Sequence, residues 1–187
     1  MMNVNTYLPK TIFFFFLLLG FALSSQGQIR ELGIRASGLQ NFDFIYKKEK
    51  AADKYSRIRL GFANIAFANI ADENVGNLAL GIAIGSERRK ALNDKLNFYQ
   101  GPEPFANLAV SFVGEDGIFS AQAGFGYVLG FQYNFSDVFY ISAETIPSVG
   151  LTFTSGEFTD PSIGISAGFN SNAVAVTVAY RLQAASK

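Results

Sequence analysis

SAQAGFGYVLGFQYNFSDVFYISAETIPSVGLTFT, residues Ser120–Thr154, alternates between two kinds of side chain along almost its whole length. In its first half Ala121, Ala123, Phe125, Tyr127, Leu129, Phe131, Tyr133 and Phe135 share one face. Ser120, Gln122, Gly124, Gly126, Val128, Gly130, Gln132 and Asn134 share the other. After Ser136-Asp137 the alternation resumes. Phe139, Ile141, Ala143, Thr145, Pro147, Val149, Leu151 and Phe153 lie opposite Tyr140, Ser142, Glu144, Ile146, Ser148, Gly150, Thr152 and Thr154. A period of two is that of a β-strand. Each run is about 15 residues, against ~5–6 for a strand of an ordinary soluble protein. One face is bulky and apolar, and the other is small, polar and carries a carboxylate. A soluble sandwich hides its bulk and shows solvent a generously charged exterior. A narrow barrel that turns its bulk to lipid and fills its lumen with small and polar groups has this distribution instead.

The rest of the chain extends the pattern. Leu32, Ile34 and Ala36 alternate with Glu31, Gly33 and Arg35; Phe42, Phe44 and Tyr46 with Asp43, Ile45 and Lys47; Ile58, Leu60 and Phe62 with Arg57, Arg59 and Gly61. Leu78, Leu80, Ile82 and Ile84 lie opposite Ala79, Gly81, Ala83, Gly85 and Glu87. In the next strand Leu96, Phe98, Leu108, Val110 and Phe112 face out, and Asn97, Tyr99, Gly101, Glu103, Asn107, Ala109 and Ser111 face in. Pro102 and Pro104 lack amide donors, so a bulge or a locally broken ladder is expected there. The last strand alternates Val174, Val176, Val178, Tyr180 and Leu182 with Ala173, Ala175, Thr177, Ala179 and Arg181. Residues Ile163–Phe169 are expected to extend it beyond a kink at Asn170-Ser171-Asn172.

These segments make eight strands, and the fold class expected is an all-β, eight-stranded antiparallel up-and-down transmembrane β-barrel. Turns or loops are expected at Gly38-Leu39-Gln40, Lys47–Lys54, Asp72–Gly76, Asn93-Asp94-Lys95, Val113–Ile118 and Ser155–Ser162. The connections after strands three, five and seven read as the longer or more irregular ones. The tandem copy Phe62–Ala66 and Phe67–Ala71 has an odd period, which reverses facing and predicts an extension or a bulge.

Residues 1–27 read as a secretory signal: Lys10, an apolar run from Ile12 to Leu19, and small residues at Ser25-Gln26-Gly27. The run is shorter than the ~20 residues of a spanning helix. Residues 28–187 form the barrel domain on this reading. The chain has no Cys, which excludes disulfides, thiolate metal sites and a lipid-modified N-terminal cysteine. It has no His, which removes Ser-His and Asp-His pairs and imidazole ligands. Fifteen Lys and Arg balance fifteen Asp and Glu, so no charge excess points to nucleic acid. No catalytic, metal-ligating or cofactor-binding residue is assigned, and no cofactor is expected.

The pattern, together with the closing run Val178-Ala179-Tyr180-Arg181-Leu182, resembles the small outer-membrane barrels of Gram-negative bacteria, the OmpA/OmpX-like superfamily. The resemblance covers residues 29–183. It implies the bacterial outer membrane as location, membrane lipid and the barrel-assembly machinery as partners, and a monomer. The family's closing strand commonly ends on an aromatic; here Leu182 is the last outward residue, and Gln183–Lys187 follows.

Projecting the strands inward gathers Glu31, Arg35, Asp43, Arg57, Arg59, Glu87, Glu103, Glu144 and Arg181. Unpaired charges in a narrow lumen are costly, so mutual pairing is expected. Three roles are open to this set: a network that fills and locks the barrel, a gate whose ion pairs exchange partners, or catalytic carboxylates among Glu87, Glu103 and Glu144. The lumen of an eight-stranded barrel is just wide enough for side chains to fill, which favours the first. The function expected is a non-enzymatic outer-membrane protein serving envelope structure or surface interaction. A small-solute channel or ligand-binding barrel is the alternative. A soluble, lipocalin-like carrier requires the two faces to be exchanged.

Overall fold

The computed structural model describes residues 29–38, 41–70, 73–114, 116–156, 159–169 and 174–182. The signal-like segment, the tail from Gln183, Leu39-Gln40 of the first connection and the expected kink at Asn170-Ser171-Asn172 lie outside them. Among the described residues no helix is long and apolar enough to cross a membrane.

The strands are β1 Arg30–Ala36, β2 Phe42–Ala51, β3 Lys54–Ile70, β4 Glu73–Ala91, β5 Leu96–Val113, β6 Asp116–Asn134, β7 Phe139–Thr145, β8 Ser148–Gly156, β9 Thr159–Gly168 and β10 Val174–Leu182. Each of β1 to β5 pairs antiparallel with its successor. β6 pairs with both β7 and β8, and β10 pairs with β7 and returns to β1. The barrel is thereby closed. β7 and β8 keep one register against β6 and act as a single stave broken at Ile146-Pro147, where the Tyr127 amide still donates to the Pro147 carbonyl at 3.0 Å. β9, paired to β8, precedes β10 on the final stave. Eight staves result.

Inward and outward facing follow the sequence parity. Phe44, Ile84 and Leu151 are 58%, 56% and 56% exposed, while Arg57 and Tyr99 are fully buried. This is the reverse of a lipocalin, whose apolar groups line the interior, and the soluble-carrier alternative loses its premise.

Short turns fix the registers at the end that holds the strand termini Arg30 and Leu182. Asp53 takes a left-handed φ of 60° between β2 and β3. The Asn93 side chain accepts the amides of Lys95 and Leu96 at 2.9 and 2.8 Å, closing the β4–β5 turn. Ser136 Oγ accepts the Phe139 amide at 3.1 Å in the next hairpin. Such side-chain acceptors take up amides that the ladder has released.

At the opposite end the structure corrects several expected loops. Residues expected as loop within Asp72–Gly76 are strand from Glu73 onward; Asp72 itself is not described. Val113–Ile118 is mostly strand around a turn at Gly114, whose φ is +64°. Ser155–Ser162 contributes to β8 and β9 on either side of the undescribed 157–158. At the end of the strand termini, Lys47–Lys54 is mostly strand too: β2 continues to Ala51, β3 starts at Lys54, and only Ala52-Asp53 turn. In the stretches remote from the strand termini polar composition signalled "outside the membrane", and strands that leave a membrane go on pairing in water.

β3 runs through the first copy of the tandem repeat and through the second as far as Ile70, with a register irregularity between Ala63 and Ala66. The prolines act on one side only. The β5–β6 ladder is unbroken, while β4–β5 pairing stops after Ala83↔Phe105 and resumes at Arg88↔Gln100. The gap on β5 contains Pro102 and Pro104, which offer β4 no amide.

Candidate functional site: the charged lumen

Alternation sends one residue in two to the barrel axis, and along the middle of the barrel those residues are charged. Near the strand termini, Glu31 of β1 accepts both terminal nitrogens of Arg89 from β4, at 2.8 and 2.6 Å. It also accepts the Tyr140 hydroxyl at 2.7 Å and Arg181 Nε at 3.1 Å. Arg181 donates further to Asn134 Oδ1 of β6 at 2.8 Å.

Glu87 carries the network upward. It accepts Arg89 Nε at 2.7 Å and lies 2.9 Å from the Lys47 ammonium. The Arg57 guanidinium reaches it at 3.5 Å. Arg57 stands at the centre. It donates from two nitrogens to the two oxygens of Glu144, each at 3.1 Å, and its Nε lies 2.6 Å from Glu103. The Arg57–Glu103 and Lys47–Glu87 contacts are close ion pairs without the directionality of a good hydrogen bond.

Glu144 also receives Arg35 Nε at 2.6 Å and the Tyr99 hydroxyl at 2.9 Å. Above it, Glu103 Oε1 accepts Arg59 at 3.2 and 3.0 Å. Asp43 Oδ2 takes one nitrogen each from Arg59 and Arg35, at 3.1 and 2.8 Å.

All nine residues gathered from the sequence meet in this one lattice. It links five carboxylates to six cations and, with Asn134, draws on every stave of the barrel. The sequence reading left out Lys47 and Arg89 from the cations, and Tyr99, Tyr140 and Asn134 from the neutral partners. Parity was the available signal: Lys47 shares the facing of Asp43, and Arg89 that of Glu87. Lys47 sits in the charged run Lys47–Lys54, which reads as a solvated turn, and Arg89 in Arg88-Arg89-Lys90, which reads as the end of its strand. Lys47 is instead 1% exposed. The rings close over the cations: Arg89 stacks 3.7 Å from the Tyr55 centroid, and the Lys47 ammonium lies 4.7 Å from that of Tyr99.

Glycines make room for the large members. Tyr99 is paired across from Gly130, and a Cβ on Gly130 would collide with the Tyr99 ring. Among the described residues no group of acidic side chains has the arrangement of a metal site. Glu87, Glu103 and Glu144, the three considered for acid–base chemistry, are all committed to cations.

No protein-family model matches the chain, and no curated protein does. Among solved structures it is similar to a major outer membrane protein from Thermus thermophilus, at 10% identity over 83% of this chain and all of that one, with a TM-score of 0.57. The fold is that of a small outer-membrane barrel. Neisserial surface protein A also matches, at 10% identity over 83% of this chain and 94% of that one, with a TM-score of 0.47.

Proposed function

We propose that this chain is an integral protein of the bacterial outer membrane, without enzymatic activity, whose lumen is plugged by its own ion pairs. It serves envelope structure or contacts made from the end remote from the strand termini. The observation that carries this reading is the Arg57–Glu144 pair: both side chains are fully buried in mid-lumen, and both are tied to neighbouring staves. Such a lattice leaves a hydrated ion no path along the axis. The outward apolar belt supports a lipid environment, since a closed barrel satisfies its backbone without water. On this reading the partners are membrane lipid and, during biogenesis, the barrel-assembly machinery acting on the closing strand β10; the barrel is a monomer.

The test combines fractionation with electrical recording. The protein pellets with outer membranes and migrates differently in detergent gels before and after boiling. Reconstituted into planar bilayers, it gives no steady single-channel conductance. Stable conductance from the unmodified protein would overturn the plug and favour the channel alternative.

A further inference from the structure

Above the plug, at the end remote from the strand termini, the lumen opens into a cavity of about 300 Å³. Arg35, Asp43 and Arg59 form its floor; Gly61, Gly81, Phe105, Asn107 and Gln122 belong to its wall. The glycines keep the wall back. A Cβ on Gly81 would meet Asn107 Oδ1, and one on Gly124 would meet the tip of the Phe105 ring. The volume lies at the lower end of the range for small-molecule sites.

Charge bookkeeping at the floor argues against an ionic ligand. Arg59 already faces Glu103 and Asp43, and Asp43 already faces Arg59 and Arg35. What remains open is hydrogen-bonding capacity of both kinds. Asp43 Oδ2 holds both arginines, while Oδ1, over Gly61, accepts no bond among the described residues. Three of the five N–H groups of Arg59 are used. Asn107 Nδ2 donates to Gln122 Oε1 at 2.9 Å, which leaves Asn107 Oδ1 as an acceptor and Gln122 Nε2 as a donor. Turning both amides over still leaves one donor group and one acceptor. Phe105 adds one apolar ring among these groups.

Charges already paired with one another, open donors and acceptors of both kinds, planar amides and aromatic surface match a neutral polyhydroxylated molecule. We propose that this cavity binds a sugar of mono- to disaccharide size, free or as the exposed end of a longer glycan. The site lies above the Arg57–Glu144 pair and needs no conduction through it, so it stands or falls apart from the plug.

The experiment is titration of the full barrel, refolded in detergent micelles, with glucose, maltose, dextran and inorganic phosphate, followed by amide NMR. Glucose or maltose should shift the Gly61 and Gly81 backbone signals and the Asn107 and Gln122 side-chain signals saturably, with Kd on the order of 1 mM or tighter. Dextran acting as well as maltose assigns the site to a glycan end, and dextran inactive assigns it to free sugar; both support the proposal. Asn107→Leu should weaken binding roughly ten-fold or more, a loss of about 1.4 kcal/mol. Gly81→Leu, which fills the cavity, should do the same by another route. Both variants are first checked for the folded, heat-modifiable gel form. Absence of saturable shifts with either sugar in the folded wild type overturns the proposal. So does saturation by phosphate alone, or sugar binding that survives both substitutions.

Discussion

Glu144 meets donors from Arg57, Arg35 and Tyr99 while fully buried, so its two oxygens answer for two guanidiniums. Glu144→Gln leaves those guanidiniums facing a neutral amide at the driest level of the lumen. Breaking one partner of a buried pair typically costs about 3–5 kcal/mol, and that loss is expected in denaturant titrations of the refolded barrel. Asp43→Asn is the control. Asp43 borders the open cavity, water can reach the arginines it leaves, and its cost should be clearly the smaller of the two. Equal costs would mean that burial depth does not govern the lattice. Space matters as much as charge. Gly130→Val should push the Tyr99 ring off the wall and strain its bond to Glu144; overpacking of this kind costs about 1–3 kcal/mol. A Gly130→Val, Tyr99→Leu double variant should recover part of that loss in the same titration, because the clash is with the ring.

At the scale of strands, the barrel divides into a closed lower part and a longer upper wall. β2 pairs with β3 only as far as Phe62, so among the described residues the rest of β3 is laddered to β4 alone. Among the described residues β9 is laddered to β8 alone, and residues 160–169 are exposed on both faces. Unpaired edges of this length are not tolerated in hydrocarbon, which places both above the apolar belt. Ile84 and Ile163 therefore differ although each is an exposed isoleucine. Ile84→Arg, within the belt, should cost about 2–4 kcal/mol if it lies near the bilayer midplane. Ile163→Arg should cost under about 0.5 kcal/mol, as an ordinary surface change. Unfolding of both variants from lipid vesicles checks the contrast; equal penalties would put β9 in the membrane. The same division explains what the sequence could tell. Inside the belt lipid and lumen impose opposite demands on successive residues, so facing was readable from Leu32 to Tyr180. Above it the alternation fades, and Gly76 or Pro161 reads as loop although the backbone goes on pairing. At the lower end the error was electrostatic. Lys47 looks like a solvated turn residue and Arg89 like the basic end of a strand until Glu87 and Glu31 are brought beside Lys47 and Arg89 by strand pairing. The Pro102/Pro104 gap was legible because a missing amide is a local fact. That it would open toward β4 and leave β6 intact was not, since it depends on which neighbour each imino nitrogen faces.

For the molecule as a whole, the lattice makes the eight staves interdependent. Glu31 joins β1 to β4, β7 and β10; Glu144 joins β7 to β1, β3 and β5; Asn134 brings in β6 through Arg181. Losing any one stave opens the β-ladder on both its sides and also uncovers charges belonging to several others. Peeling a hairpin from the closing edge, where β10 meets β1, separates Arg181 from Glu31 and leaves Arg89 and Tyr140 with a partner exposed to incoming water. Partial unfolding is therefore penalised nearly as heavily as complete unfolding, and the barrel should melt as one unit. Far-UV circular dichroism and the unboiled gel mobility, followed across the same denaturant series, should give coincident transitions. Arg57→Met offers the sharpest contrast, because it cuts the lattice at the node joining Glu87, Glu103 and Glu144. In that variant the two transitions should separate, with loss of the compact gel form preceding loss of strand signal. Coincidence in both proteins would assign the cooperativity to ladder closure alone and make the ion pairs mere filling.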